Sequence, residues 1–340
     1  PPRRARLLWP RATRRRLPWN PTMLIASLSV VIGLTALLWS ADRFVAGASA
    51  IAARFGLSPI LVGAVIVGFG TSSPELFIAT LASVDGSPGI AVGNALGSNI
   101  ANIGLILGVV ALVAPVHAIW ADIRRDAIAL IGATGLVAIA VVDGHLGRLE
   151  GAALTVALLV YLGYAIRDAS AESGNSEVED TLPEHADGAG RRAWFQLFLG
   201  FSVLLVSSRL LVSGAEELAR IAGLSELVIG LTIIAIGSSL PELAASLAAA
   251  ARGRADMALG NVVGSNVFNS LAVLAIPAWI APGPLEDAVA WRDLPLTVVL
   301  TASVLWLCAR KSHRIHRAEG VLLLVVYCGY LGYLGWQAMA

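Results

Sequence analysis

Two glutamates stand where an apolar chain has little reason to carry them. Residues 68–76 read GFGTSSPEL and residues 235–243 read AIGSSLPEL, each inside a long apolar stretch. Pro74 precedes Glu75, and Pro241 precedes Glu242. Proline lacks an N–H and its ring clashes with the preceding turn, so a helix opens there and the carbonyls of Gly70 and Gly237 lose a partner. Hydroxyls gather at the same points. Thr71 and Ser72 lie four and three residues before Glu75, a spacing that puts them on one helix face. Ser238, Ser239 and Glu242 repeat the arrangement. Downstream, GNALGSNIAN (93–102) and GNVVGSNVFN (260–269) place Ser98 with Asn102, and Ser265 with Asn269, each four apart. The inventory is two carboxylates, several hydroxyls, two amides and freed carbonyls. All are oxygen donors, which suits hard cations such as Ca²⁺ or Na⁺ and not zinc or copper.

A bland explanation exists for single members of this set. A lone membrane Ser or Thr bonds back to its own helix, and a lone Asn glues helices together. Asn94, Asn99, Asn261 and Asn266 are assigned to packing or capping on that basis, and the neighbouring glycines to close helix packing. A mid-membrane carboxyl is different, because it is costly and marks a functional site by default. Two of them, both on proline breaks at equivalent places, argue against packing alone.

These residues must be held by membrane helices. Of 340 residues, 57% are hydrophobic and 14% charged, with a mean hydropathy of +0.77. Soluble domains carry about 25% charged residues, so a soluble core is excluded. A bilayer crossing needs about 20 apolar residues. Ten segments are predicted, at about 23–53, 57–84, 88–114, 126–143, 149–166, 194–221, 225–251, 257–281, 293–309 and 318–339. The expected class is therefore an all-α polytopic membrane protein with helices broken at the midplane. Residues 167–192 are polar, with seven acids, and read as part of a flexible linker spanning 167–193. Residues 1–22 carry seven arginines and five prolines, and no secretory apolar core; they read as a disordered basic leader. Cys308 and Cys328 lie in separate apolar runs and read as small buried hydrophobes.

The chain repeats itself at a constant offset of 167. SADRFVAGASAIAARFGLS (40–58) aligns with SSRLLVSGAEELARIAGLS (207–225), and both motifs above align without a gap. Residues 68–108 share 15 of 41 positions with their counterparts, mostly Gly, Pro, Glu, Ser and Asn. Each half, 23–166 and 194–340, holds five predicted segments. Five is odd, so the second half enters from the opposite side. Inverted repeats with interrupted helices are the build of secondary transporters. Connections after odd-numbered segments carry twelve Lys or Arg residues and those after even-numbered segments three. The positive-inside rule then puts residue 23 outside and the 167–192 loop in the cytoplasm, in the plasma or inner membrane. The arginine-rich leader runs against that assignment, and the split across many short loops outweighs it.

GTSSPEL and GSSLPEL, each followed by GN..GSN...N, resemble the two alpha-repeats of the sodium/calcium exchanger family, within the calcium/cation antiporter superfamily. The resemblance covers the ten-helix layout from 23 to 340 and is strongest over 40–108 and 207–275. It implies that Glu75 and Glu242 are the central Ca²⁺ ligands. Thr71, Ser72, Ser98, Ser238, Ser239 and Ser265 would supply hydroxyls, Asn102 and Asn269 amides, and Gly68 and Ala235 carbonyls. It also implies alternating access by sliding of the first and sixth helices over a fixed core. Some relatives have Asp at the position of Asn269; here both members of that pair are amides, so the site charge is at most −2. Ser238 stands where Thr is common. The 167–192 loop is too short for the regulatory Ca²⁺-binding domains of animal exchangers. The proton/calcium branch has GN..E in place of G[TS]S.PE, so this chain sides with the sodium branch.

The resulting expectation is a secondary-active antiporter exchanging Ca²⁺ for Na⁺, not an enzyme. It needs no cofactor, has the two ions and the lipid bilayer as partners, binds no nucleic acid and works as a monomer. A proton/calcium or potassium-dependent antiporter is the alternative. A passive cation channel ranks lower. An intramembrane hydrolase ranks lowest, because no His or Lys lies at membrane depth to serve as a base.

Overall fold

The computed structural model describes residues 21–55, 57, 59–117, 120–175, 186–223, 235–310 and 314–339. The expected leader lies outside these residues up to position 20, and the first helix, α1 (Pro21–Phe55), begins at Pro21. Among the described residues, seven helices are long and apolar enough to cross a membrane, or eight when one bent pair counts as a single span. That pair is α2 (Pro59–Val62, continuing through Gly63–Thr71) and α3 (Ser73–Val84), bent by 44°. There follow α4 (Pro88–Val113), α5 (Trp120–Val141), α6 (Arg148–Asn175) and α7 (Ala186–Ile221). The second half continues with α8 (Ala235–Ser238), α9 (Leu240–Ala251), α10 (Ala255–Ile280), α11 (Val289–Ala309) and α12 (Arg317–Met339).

Some boundaries differ from the sequence expectation. Helices α6 and α7 extend into the stretch read as a flexible loop, to Asn175 and from Ala186. That stretch is polar but holds alanines and glutamates, good helix formers, so polarity there does not mean loop. Helix α5 begins six residues before the expected 126 because its opening turns carry Asp122, Arg124 and Arg125, which hid them from an apolar count. Of the predicted segment 225–251, residues 225–234 lie outside the described residues. Cys308 is buried as expected; Cys328 is exposed on α12, a helix with large apolar side chains exposed along it, so it lies on a lipid-type surface and not in the core.

Element boundaries recur at the sequence offset. Helix α3 spans 73–84 and α9 spans 240–251; α4 opens at Pro88 and α10 at Ala255. Short antiparallel ladders join the halves crosswise. Strand β1 (Val116–His117) pairs with β4 (Arg314–Ile315), and β2 (His145–Leu146) pairs with β3 (Gly283–Pro284). The centre is α4 and α10, whose apolar spans are 72% and 89% buried, against 17% for α1 and α12. Helices α1 and α7 lie along each other. Glycines permit that approach: a side-chain carbon on Gly33 would sit 2.7 Å from the Leu211 backbone, and one on Gly214 would sit 2.8 Å from the Ala26 carbonyl. Small residues drive such close packing where lipid removes the hydrophobic force between helices.

Candidate cation site

Both helix breaks take the same form. Ser72 (φ −79°, ψ 3°) ends the upstream turn and Ser239 (φ −91°, ψ 7°) does the same in the second half. Each residue sits in the bridge region between helical and extended backbone. The proline then occupies the start of the next helix, where a missing N–H is harmless. Glu75 and Glu242 thereby fall in the first turns of α3 and α9, at the positive ends of the helix dipoles. Both carboxylates are fully buried, and they lie within electrostatic reach of each other across the two halves.

Around them the halves interlock. The Thr71 hydroxyl donates to Asn261 Oδ1 at 3.3 Å and to the Gly68 carbonyl at 3.4 Å, and meets Ser265 Oγ at 3.5 Å. Ser265 itself donates to the Gly68 carbonyl at 3.4 Å. Ser98 donates to Glu75 Oε1 at 3.4 Å. Asn102 Nδ2 donates to Asn266 Oδ1 at 2.9 Å. Asn102 and Asn269 each open a π-helical turn, Asn102–Leu107 and Asn269–Val273. Such turns widen a helix and recur at functional sites.

Many oxygens in this space have no partner. Among the described residues, Glu75 Oε2, both Glu242 oxygens, the hydroxyls of Ser72 and Ser239, Asn102 Oδ1 and both Asn269 amide atoms are buried without a hydrogen bond. An unmet buried polar group costs about 1–3 kcal/mol, more when charged. A cluster of them is a receptacle for a polar guest. The set is rich in acceptors, a composition that suits a cation.

Of the residues expected from sequence, Glu75, Glu242, Thr71, Ser72, Ser98, Asn102, Ser239, Ser265 and Asn269 are all buried. Gly68 contributes its carbonyl. Ser238 is half-buried and borders two cavities, of about 110 Å³ and about 160 Å³. Ala235 is the first residue of α8. The asparagines assigned to packing do hold the frame: Asn94 donates to the Glu75 carbonyl and Asn261 to the Glu242 carbonyl, both at 3.3 Å. Asn261 also donates to Ser246 at 2.8 Å, and Asn99 to Ser270 at 3.0 Å. Sequence reading missed Ser246 and Ser270, which have no counterpart serine at the offset, and missed that Asn261 reaches into the other half.

A family model described as "Sodium/calcium exchanger protein" matches residues 25–167 and 192–336. The CaxA protein of Alkalimonas amylolytica is 44% identical over 317 residues, covering 91% of this chain and 98% of that protein. The inner membrane protein YrbG of Escherichia coli (strain K12) is 37% identical over 320 residues, covering 92% and 98%. Among solved structures, the sodium-calcium exchanger NCX_Mj soaked with 10 mM Na⁺ and 10 mM Sr²⁺ superposes with a TM-score of 0.80 at 31% identity, covering 91% of this chain and 98% of that one.

Proposed function

The chain belongs to the sodium/calcium exchanger family, and from that premise we propose that Glu75 and Glu242 form the charged centre of one site that takes Ca²⁺ and Na⁺ in turn. The protein is a membrane antiporter that exchanges the two ions by alternating access. The carrying observation is the pair of buried carboxylates, one at each proline break, with three of their four oxygens unpartnered among the described residues. Two carboxylates neutralise one Ca²⁺ or two Na⁺. The hydroxyls of Thr71, Ser72, Ser98, Ser238, Ser239 and Ser265, the amides of Asn102 and Asn269, and the carbonyls of Gly68 and Ala235 replace the water shell. A proton needs no such cage, so the neutral oxygens favour a metal ion as the coupling partner.

The layout proposed around this site is ten spans in two inverted five-helix repeats, 23–166 and 194–340, joined by a linker at 167–193. The constant offset of 167 and the ladders that tie β1 to β4 and β2 to β3 support it. The arginine distribution supports residue 23 outside and the 167–192 connection in the cytoplasm, in the plasma or inner membrane. One chain carries both halves of the site, which supports a working monomer.

The test is a vesicle loaded with sodium and diluted into sodium-free buffer with labelled calcium. Uptake appears, vanishes when sodium is equalised, and survives a protonophore. Uptake that ignores sodium and follows a pH gradient overturns the proposal in favour of proton/calcium exchange.

A further inference from the structure

One ion pair between the halves has a counterpart written in the sequence with both signs reversed. Asp42, on α1, accepts Arg252, just past α9, with Nε at 2.7 Å and the nearer terminal nitrogen at 2.6 Å. The repeat offset takes Asp42 to Arg209 on α7, and takes Arg252 back to Asp85, just past α3. The counterpart pair is again one cation and one anion. Asp85 and Arg252 occupy the same turn, each followed by a glycine of positive φ, Gly86 at 76° and Gly253 at 73°. Among the described residues, the Arg209 and Asp85 side chains have no ion-pair or hydrogen-bond partner, and both are exposed.

Packing differs in the same sense. Arg209 borders the cavity of about 110 Å³, which lies between both prolines and touches Ser208, Val212, Gly237 and Ser238. The equivalents near Asp42 are Ala41, Val45, Gly70 and Thr71, of which Ala41, Val45 and Thr71 are fully buried. Helix α1 packs along α9, and α7 makes no comparable contact with α3. Where the pair is made, the helices are closed. Where it is unmade, a cavity reaches a site hydroxyl.

In a chain of two inverted halves, exchanging the conformations of the halves produces the state open to the other side. The made and unmade pairs exchange with them. We propose that Asp42–Arg252 and Arg209–Asp85 are alternate latches of the transport cycle. The first is fastened in the conformation described here. The second fastens over the cavity at Arg209 when the site faces the opposite side. This inference rests on the inverted-repeat reading above. A single exposed ion pair is common and weak; the joint reversal of both charges at repeat-equivalent positions carries the proposal. With side chains 37% and 46% exposed, each latch shifts the balance between states by about two- to fivefold. That biases the cycle without locking it, as turnover requires.

The test uses the full-length protein in proteoliposomes with Cys308 and Cys328 replaced by alanine. One variant adds Asp42→Cys with Arg252→Cys, and a second adds Asp85→Cys with Arg209→Cys. A short bifunctional thiosulfonate is applied in sodium, in calcium and without either ion. Both variants should cross-link, each should then stop calcium uptake, and reductant should restore it. Failure of the 85/209 variant under every condition, with the 42/252 variant cross-linked, overturns the proposal; so does failure of the 42/252 variant. Charge removal gives a second reading that needs no cross-link. On the proposed topology Arg252 is cytoplasmic and Asp85 external, so the present state faces outward. Asp42→Asn should raise the half-saturating external calcium two- to fivefold, and Asp85→Asn should lower it by a similar factor. Shifts of the same sign in both variants, or none, overturn the idea. Cross-linking reports geometry and not the driving ion. Loss of sodium dependence in the unmodified protein therefore removes the exchange reading and leaves the latch result standing.

Discussion

The motif GN..GSN occurs twice, and the two copies live in different surroundings. In α4, Gly93 and Gly97 face open space, Asn94 is half-buried, and a cavity of about 160 Å³ runs beside Asn94 and Ser98 to Tyr327 and Tyr330. In α10, Gly260, Asn261, Gly264 and Ser265 are all buried, and a side-chain carbon on Gly264 would overlap the Ala64 backbone. The same motif thus gives one loosely covered strip and one sealed strip. The lesson is that the repeats encode the donor set twice, and tertiary packing decides which copy is exposed to an approaching ion. A transporter that opens to one side at a time has to break its own symmetry in this way.

The largest effect tests where the symmetry should survive. Glu75→Gln and Glu242→Gln each remove half the charge that offsets dehydration of a divalent ion. Both should cut sodium-driven calcium uptake by more than about 100-fold, beyond the 10–100-fold typical of outer-shell partners of a metal. Each variant should remain folded, because the wild-type carboxylates are buried with three of their four oxygens unpartnered among the described residues, and they cost stability when no ion is bound. Near-normal uptake in one of the two would mean the halves are unequal at the charge itself.

The next effect tests packing directly. Gly264→Ala must push apart α10 and the stretch around Ala64, an overpacking that costs about 1–3 kcal/mol. Its counterpart Gly97→Ala meets nothing within 4 Å and should change stability by less than about 0.5 kcal/mol. Thermal unfolding in detergent separates them. Equal melting temperatures would remove the distinction between sealed and open strips.

Much of this architecture was legible in the sequence, for identifiable reasons. Proline followed by glutamate in an apolar stretch leaves few structural options, so both breaks were readable. The shared glycines and asparagines fixed the offset that the helix boundaries of α3 and α9 later follow. Other features had no local signal. The π-helical turns at Asn102 and Asn269 depend on what packs around them. The contact of Thr71 with Asn261 joins residues 190 apart, which no spacing argument supplies. The asymmetry of the two GN..GSN strips could not be read, because the motif residues are the same in both and the difference lies in what packs against them.

A smaller effect concerns the asparagines that brace each glutamate. Asn261 is bonded to Thr71, Ser246 and the Glu242 carbonyl, whereas Asn94 is bonded to the Glu75 carbonyl. Asn261→Ala leaves three buried groups short of a partner and should lower transport about tenfold. Asn94→Ala breaks one hydrogen bond near a cavity where water can replace it, and should cost about twofold or less. A reversed order would mean that the half-buried brace, and not the sealed one, holds the site's geometry.

The smallest effect distinguishes two serines at equivalent positions. Ser98 donates to Glu75 Oε1, so it touches a charged oxygen of the site. Ser265 contacts Thr71 and the Gly68 carbonyl, so it joins the two halves. Removing either hydroxyl deletes one modest interaction, worth about 1 kcal/mol, but the loss should surface in different measurements. Ser98→Ala takes a dipole from beside the ion and from the rim of the larger cavity. The half-saturating calcium concentration should rise about threefold to fivefold, with the melting temperature unchanged. Ser265→Ala loosens a fully buried contact between halves, so the melting temperature should fall by about 2–4 °C, with a smaller loss of calcium affinity than in Ser98→Ala. Proteoliposome uptake across a calcium series and thermal unfolding on the same preparations supply both readings. If Ser265→Ala weakens calcium binding as much as Ser98→Ala and leaves unfolding untouched, the two serines are equal ligands. The sealed half would then be as open to the ion as the other, and the contrast between the strips would hold for packing alone.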